Sequence, residues 1–246
     1  MDIGLLVIVA VAFLIAGVIK GAIGLGLPTT AIAILSLSLG LRDAVVALIV
    51  PSLCANIWQV LHGGELMKLF RRFWLLNASA CVGIWLGTVI LFRVDPSLLS
   101  GLLGVVIVGY ASMNLLSIQP RLPVEQERLW SPGVGFTSGL LTGTTGSLLM
   151  PVAVYLQALG LEKEQFVQAI GLSLLIGTVA WAGALFDQGA MDRGAIILSS
   201  FALGPTLLGM AAGIWLRQRI SQDLFRRIVS LSLLILGAKL IYSSWF

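Results

Sequence analysis

Lys20 is the one charged side chain inside a stretch of unusual backbone chemistry, Gly17-Val-Ile-Lys20-Gly21-Ala-Ile-Gly24-Leu-Gly26-Leu-Pro28, set in an otherwise apolar region. Four glycines and a proline within 12 residues break a helix there. Proline suits the first turn of a helix because it has no N–H to leave unpaired, so Pro28 reads as the start of a new helix. The free N–H groups of such a start attract an anion by dipole and by hydrogen bonding. A second stretch, Gly139-Leu-Leu-Thr142-Gly143-Thr144-Thr145-Gly146-Ser147 leading to Pro151, repeats the device and adds four hydroxyls. The candidate anion-binding residues are therefore Lys20, Gly21, Gly24, Gly26 and Pro28 at the first break and Thr142, Gly143, Thr144, Thr145, Gly146 and Ser147 at the second. The amides Asn56, Gln59 and Gln168, each inside an apolar segment, join them as candidates.

Each candidate has a plainer alternative. Glycines four apart let helices approach closely, and Gly83-x3-Gly87 and Gly209-x3-Gly213 use that spacing away from the two breaks. Midspan Asn56, Gln59, Gln157, Gln168 and Thr178 can serve as interhelical hydrogen-bonding groups. Lys20 follows a run of apolar residues from Ile3, so its ammonium can snorkel to the headgroups. The other reading makes it an anion partner, which would offset the roughly 2.5–3.5 kcal/mol that a cation costs at the bilayer centre.

Other chemistry is excluded by composition. His62 is the only histidine, and Cys54 and Cys81 both fall inside apolar segments as expected buried small hydrophobes. No metal cluster, cofactor site or nucleophile–base pair can be assembled from these, so an enzyme is not expected. Asp43, Glu65, Asp95, Asp187 and Asp192 lie at segment ends or in loops, which leaves no carboxylate proton relay. The net charge of +4 resides in loops between apolar segments, as membrane topology and anionic lipid require, and not in a nucleic-acid surface.

The elements that must hold these residues are spanning helices. Of 246 residues, 58% are hydrophobic and 11% charged, and the mean hydropathy is +1.03. Lipid is the solvent for such a chain. Runs such as Leu98–Leu116 are apolar on nearly every face, unlike the alternating strands of a barrel. The first segment lacks a basic start and a cleavage site and reads as a retained helix. The pattern Gly17-x3-Gly21-x2-Gly24 recurs as Gly139-x3-Gly143-x2-Gly146, and Gly87 and Gly209 share the same offset. The expected fold is an all-α polytopic membrane protein of two inverted repeats, residues 1–117 and 131–246, joined by a cytoplasmic linker over 118–130. Each repeat holds about four to five segments: 3–19, 25–40, 43–61, 72–92 and 97–117, then 132–145, 147–160, 165–186, 194–216 and 224–245, the second of each being short and broken or re-entrant.

Loop charges choose the parity. An odd count puts Lys68, Arg71, Arg72, Arg121, Arg128, Lys163, Arg217, Arg219, Arg226 and Arg227 on one face, opposite only Arg42, Arg93 and Arg193. That asymmetry marks the first face as cytoplasmic. Both termini then lie outside the cytoplasm, and the halves are inverted about a midplane site. Trp74, Trp130 and Trp245 near segment ends are expected interface anchors, whereas Trp58 and Trp181 lie inside segments.

The pattern Gly17-x3-Gly21-x2-Gly24-x-Gly26-x-Pro28, its recurrence from Gly139 to Pro151, and the segment Pro51-Ser-Leu-Cys-Ala-Asn56-Ile-Trp58-Gln59 resemble the TauE/SafE family of sulfite exporters and related permeases over the whole chain. The resemblance implies transport of sulfite, a sulfonate or another small organic anion across a bacterial inner membrane. This sequence has Gly26-Leu27-Pro28 and Gly146-Ser147-Leu148 where a Gly-Gly-Gly run is commoner in that family. The expected partners are a small anionic substrate and membrane lipid, without nucleic acid and with self-association left open. The competing readings are a permease for another organic anion, a neutral solute or a cation, and a non-transporting accessory subunit.

Overall fold

The computed structural model describes residues 3–23, 26–61, 64–116, 121–146, 151–191, 193–217, 219 and 222–245. Among them the chain is helical, without a strand. The helices are α1 (Ile3–Ile23), α2 (Leu27–Leu35), α3 (Leu41–Ala47), α4 (Ile49–Leu61), α5 (Leu66–Arg93), α6 (Pro96–Leu115), α7 (Glu127–Thr145), α8 (Val152–Ala158), α9 (Lys163–Asp187), α10 (Arg193–Arg217) and α11 (Gln222–Trp245), with a 3₁₀ turn at Val124–Gln126 before α7. Five are long and apolar enough to cross a bilayer, or six when the bent pair α3–α4 is taken as one span. The protein is a multi-pass membrane protein.

Several helices run beyond the apolar segments expected from hydropathy. α5 begins at Leu66 and carries Lys68, Arg71 and Arg72 within its first turns, because charged side chains are good helix formers once a neighbouring apolar run has nucleated the helix. In the opposite direction, α2 and α8 hold only 9 and 7 residues. At 1.5 Å per residue they extend roughly 14 and 11 Å, far short of the ~30 Å hydrocarbon core. Cys54 and Cys81 are free and half-buried, which corrects the expectation of full burial.

The helices form two compact units. The first comprises Met1–Pro51, Val94–Ile118 and Met191–Phe246; the second comprises Ser52–Arg93 and Gln119–Ala190. Each unit draws helices from both halves of the sequence. In the first, α1 packs along α10, α6 along α11, and α2 against α1. In the second, α5 packs along α7 and α9, and α8 contacts both α7 and α9.

Glycines set both principal crossings. A Cβ on Gly17 would strike Thr206 O and come within 3.1 Å of Gly209 Cα, and one on Gly21 would strike the Met210 carbonyl. In the second unit a Cβ on Gly87 would strike Leu140 O and lie 3.0 Å from Gly143 Cα, and one on Gly139 would strike Ala80 O. Backbone on both sides leaves no side chain to move aside. The close approach substitutes dispersion for the hydrophobic force that lipid does not supply between helices.

Backbone groups freed by bends are satisfied within their unit, as lipid requires. α3 and α4 meet at 42°, and Ser199 of α10 closes the gap: its Oγ accepts the Val50 N–H at 2.9 Å and donates to Ala47 O at 3.0 Å. α5 is kinked at Phe73 (φ −104°, ψ 16°). Beside the kink, Arg72 donates to both carboxylate oxygens of Glu127 at 2.8 and 2.7 Å. Tyr155 of α8 donates to the Glu127 carbonyl at 2.9 Å and lies 2.8 Å from Ser131 Oγ. α5, α7 and α8 are thereby tied at one end of the second unit.

Candidate functional site

In the first unit the chain leaves α1 at Ile23 and re-enters a helix at Leu27; Gly24 lies outside the described residues. Gly26 caps α2 with φ +95°, a left-handed conformation open to glycine at little cost. A Cβ there would also come within 3.1 Å of Ile19 Cγ2 on α1, so the turn is pressed against the last turn of α1. Lys20, the next residue on that turn, is 4% exposed; its side chain is buried, not extended to the surface. Pro28 stands in the first turn of α2, and no side chain caps it. Thr30 N–H bonds Gly26 O at 3.0 Å, while helix geometry supplies no acceptor for the N–H groups of Leu27 and Thr29.

The hydroxyls that follow are the unexpected part of this turn. Thr29 and Thr30 are each 2% exposed, and neither Oγ1 has a hydrogen-bond partner. A buried hydroxyl without a partner costs about 1–3 kcal/mol. Two in succession beside orphan amides make a concentrated set of oxyanion donors. The sequence held the clue, since both threonines directly follow Pro28, but the glycine pattern drew the reading toward the residues before the proline.

The second unit has a different chemistry at its corresponding turn. α7 ends at Thr145, and Gly146 follows with φ +72°; Ser147 lies outside the described residues. Thr142 donates to Ser138 O at 2.8 Å, Thr144 to Leu140 O at 2.9 Å and Thr145 to Leu141 O at 2.7 Å. All three hydroxyl protons are thus committed to their own helix four residues back. Gly21 and Gly143 sit at the crossings described above, where packing accounts for glycine without a ligand.

The three amides gather on the α4–α9 contact. Asn56, 1% exposed, donates from Nδ2 to Thr178 Oγ1 at 3.3 Å, and Thr178 in turn donates to Leu174 O at 2.7 Å. Gln168 donates to Val60 O at 3.2 Å and accepts the Glu65 N–H at 3.0 Å, closing the turn into α5. Gln59 donates to Val167 O at 3.0 Å, but its Oε1 has no partner. Unpartnered buried polar atoms recur on the same two helices at Ser52 Oγ, Ser173 Oγ and Trp181 Nε1. Trp181 is fully buried whereas Trp58 is 57% exposed, so the two tryptophans play different parts.

The structure therefore brings Gly26, Pro28 and the Lys20 turn together in the first unit, and Asn56, Gln59 and Gln168 together in the second. Among the described residues no group of His, Cys, Asp or Glu is arranged to hold a metal. In comparison with known proteins, the family model described as "Sulfite exporter TauE/SafE" matches residues 9–240. No curated protein and no solved structure matches the chain.

Proposed function

Since this chain belongs to the TauE/SafE sulfite exporter family of membrane transporters, we propose that it exports a small oxyanion, sulfite or an organosulfonate, recognised at the turn that opens α2. The observation that carries the reading is the pair of buried, unpartnered hydroxyls on Thr29 and Thr30, set in the first turn of a helix with no side-chain cap. An oxyanion accepts hydrogen bonds and offers none, so O–H and N–H groups suit it where carboxylates would repel it. Lys20 supplies a cation on the adjoining turn of α1. Within the second unit, Asn56, Gln59 and Gln168 form a separate polar cluster whose amide donors are spent on Thr178, Val167 and Val60.

The architecture proposed is an inverted duplication, with residues 1–117 and 131–246 as repeats joined by a cytoplasmic linker. Asn56 and Thr178, hydrogen-bonded to each other, are separated by the 122 residues that separate the glycine motifs. The crossings also correspond: Gly83 meets Phe136, Gly139 and Leu140, and Gly209 meets Leu14, Gly17 and Val18, each of these neighbours 122 residues before its counterpart. The uneven distribution of basic residues between the two faces supports termini outside the cytoplasm of a bacterial inner membrane. An inside-negative potential then favours anion exit by about 2.3 kcal/mol per charge per 100 mV, roughly 50-fold accumulation, without a coupled ion.

The test is flux of labelled sulfite, an alkylsulfonate, acetate and a neutral solute of similar size from proteoliposomes with the potential clamped. Potential-dependent flux of the first two supports the reading. Flux of the neutral solute alone would replace it with a different permease.

A further inference from the structure

We propose that the second unit carries a binding site for one anionic phospholipid, with the headgroup phosphate beside Arg71 and Arg128 and an acyl chain along α5. Two adjoining hollows share Arg71 and Trp74. One is an apolar groove of about 630 Å³ between α5 and α9, lined by Phe70, Trp74, Asn77, Cys81 and Ile176. Phe70, Trp74, Asn77 and Cys81 are spaced four, three and four residues apart and so form one stripe of α5. The other is a polar recess of about 420 Å³ with three arginines, Arg71, Arg72 and Arg128. A polar recess that continues into an apolar groove matches an amphiphile with an anionic head, and matches a free anion only in its upper half.

The charges in the recess are unequal in role. Arg72 is held by Glu127 in a two-point ion pair and is neutralised there. Arg71 and Arg128 have no ion-pair partner among the described residues, and Glu125 is the one further carboxylate lining the recess. The balance favours a phosphodiester, which accepts hydrogen bonds from a guanidinium fork. Below it, Asn77 is 4% exposed and its Nδ2 has no partner. It stands six residues from Arg71, about 9 Å along the helix, among the residues that line the groove. Trp74 between them is half-exposed, as an interfacial indole should be. These arginines also lie on the face that bears most of the loop cations, where anionic lipid collects.

The experiment is quenching of tryptophan fluorescence in the purified full-length protein in a non-ionic detergent, using dibrominated phosphatidylglycerol against dibrominated phosphatidylcholine. The difference between the wild type and Trp74→Phe isolates the signal of Trp74. Phosphatidylglycerol should quench that signal at a concentration at least about fivefold lower than phosphatidylcholine, the selectivity expected of one arginine near a membrane surface, and added salt should narrow the gap. Arg71→Gln with Arg128→Gln should remove the selectivity, while Arg71→Lys with Arg128→Lys should keep part of it. Equal quenching by the two lipids in the wild type would overturn the proposal whatever the variants do. So would displacement of the brominated lipid by inorganic phosphate or sulfite at equal concentration, which would make the recess a free-anion site.

Discussion

Replacing Thr29 and Thr30 by valine, singly and together, removes a hydroxyl while keeping the branched shape that packs around it. The two readings of those hydroxyls predict opposite combinations of stability and flux. Both are 2% exposed and neither has a partner, so each burdens the substrate-free fold by about 1–3 kcal/mol. Valine should therefore raise thermal stability in detergent, an unusual direction for a buried substitution. If the same hydroxyls donate to the transported anion, each deletion also loses a charge-assisted hydrogen bond of roughly 1.5–3 kcal/mol. At 1.4 kcal/mol per decade this is about 10- to 150-fold in apparent sulfite affinity. The assay pairs a melting curve with potential-clamped sulfite flux across a concentration series. Thr142→Val is the control, since that hydroxyl donates to Ser138 O at 2.8 Å; it should lower stability slightly with little change in flux. A stabilised Thr29→Val protein that transports sulfite with unchanged affinity would refute the assignment of the first break as the anion site. A destabilised one would show that the hydroxyl is structural.

Four further outcomes are expected. Lys20→Gln should abolish most anion flux and Lys20→Arg should retain part of it, measured in the same proteoliposomes; wild-type flux in Lys20→Gln would move the cation role elsewhere. Gly87→Ala should lower the melting temperature by an amount equivalent to about 1–3 kcal/mol, because its Cβ would meet the backbone of Leu140 and Gly143; Gly109→Ala, with nothing within 4 Å of its Cβ, should be neutral or stabilising by up to about 1 kcal/mol. Single cysteines at Lys68 and Arg219, in a protein lacking Cys54 and Cys81, should react with a membrane-impermeant maleimide from the cytoplasmic side alone. The Glu65 carboxyl is held below the usual carboxylate range by the hydrogen bond from Lys68 and a second from Gln165; a depressed pKa stabilises above the ordinary value and is lost as pH falls through the lowered one, so the protection factors of the amides at 64–69, corrected for intrinsic exchange, should fall only at pH below the ordinary glutamate range.

The helical architecture was legible because lipid imposes a single rule on sequence, long apolar runs with polar breaks; nine of the eleven α-helices among the described residues fall singly on expected segments, and 43–61 is divided between α3 and α4. What hydropathy could not locate was the ends. Lys68, Arg71 and Arg72 read as loop residues by charge, yet they are helical, because charge decides depth in the membrane and not backbone conformation. The glycine motif was legible as a motif but not in its purpose. Spacing alone cannot say whether a missing Cβ makes room for a ligand or for another helix, and at Gly17, Gly21, Gly139 and Gly143 the neighbour is backbone of α10 or α5. At Gly26 the reason is the left-handed turn, a property of one residue's backbone that no periodicity reports.

The two glycine turns have the same sequence signature and carry different donors, and the difference follows from where the threonines stand relative to the helix they belong to. Thr142, Thr144 and Thr145 lie in the last turns of α7, where a carbonyl four residues back is always within reach, and their protons are spent on it. Thr29 and Thr30 lie in the first turn of α2, and the residue four before Thr30 is Gly26, the cap that precedes the helix. The Gly26 carbonyl accepts the Thr30 N–H at 3.0 Å but no bond from Thr30 Oγ1. A threonine just after a helix start is thus the position at which a buried hydroxyl keeps its proton for something other than its own backbone. An oxyanion at the first turn of α2 would therefore meet unspent donors, whereas at the end of α7 it would not.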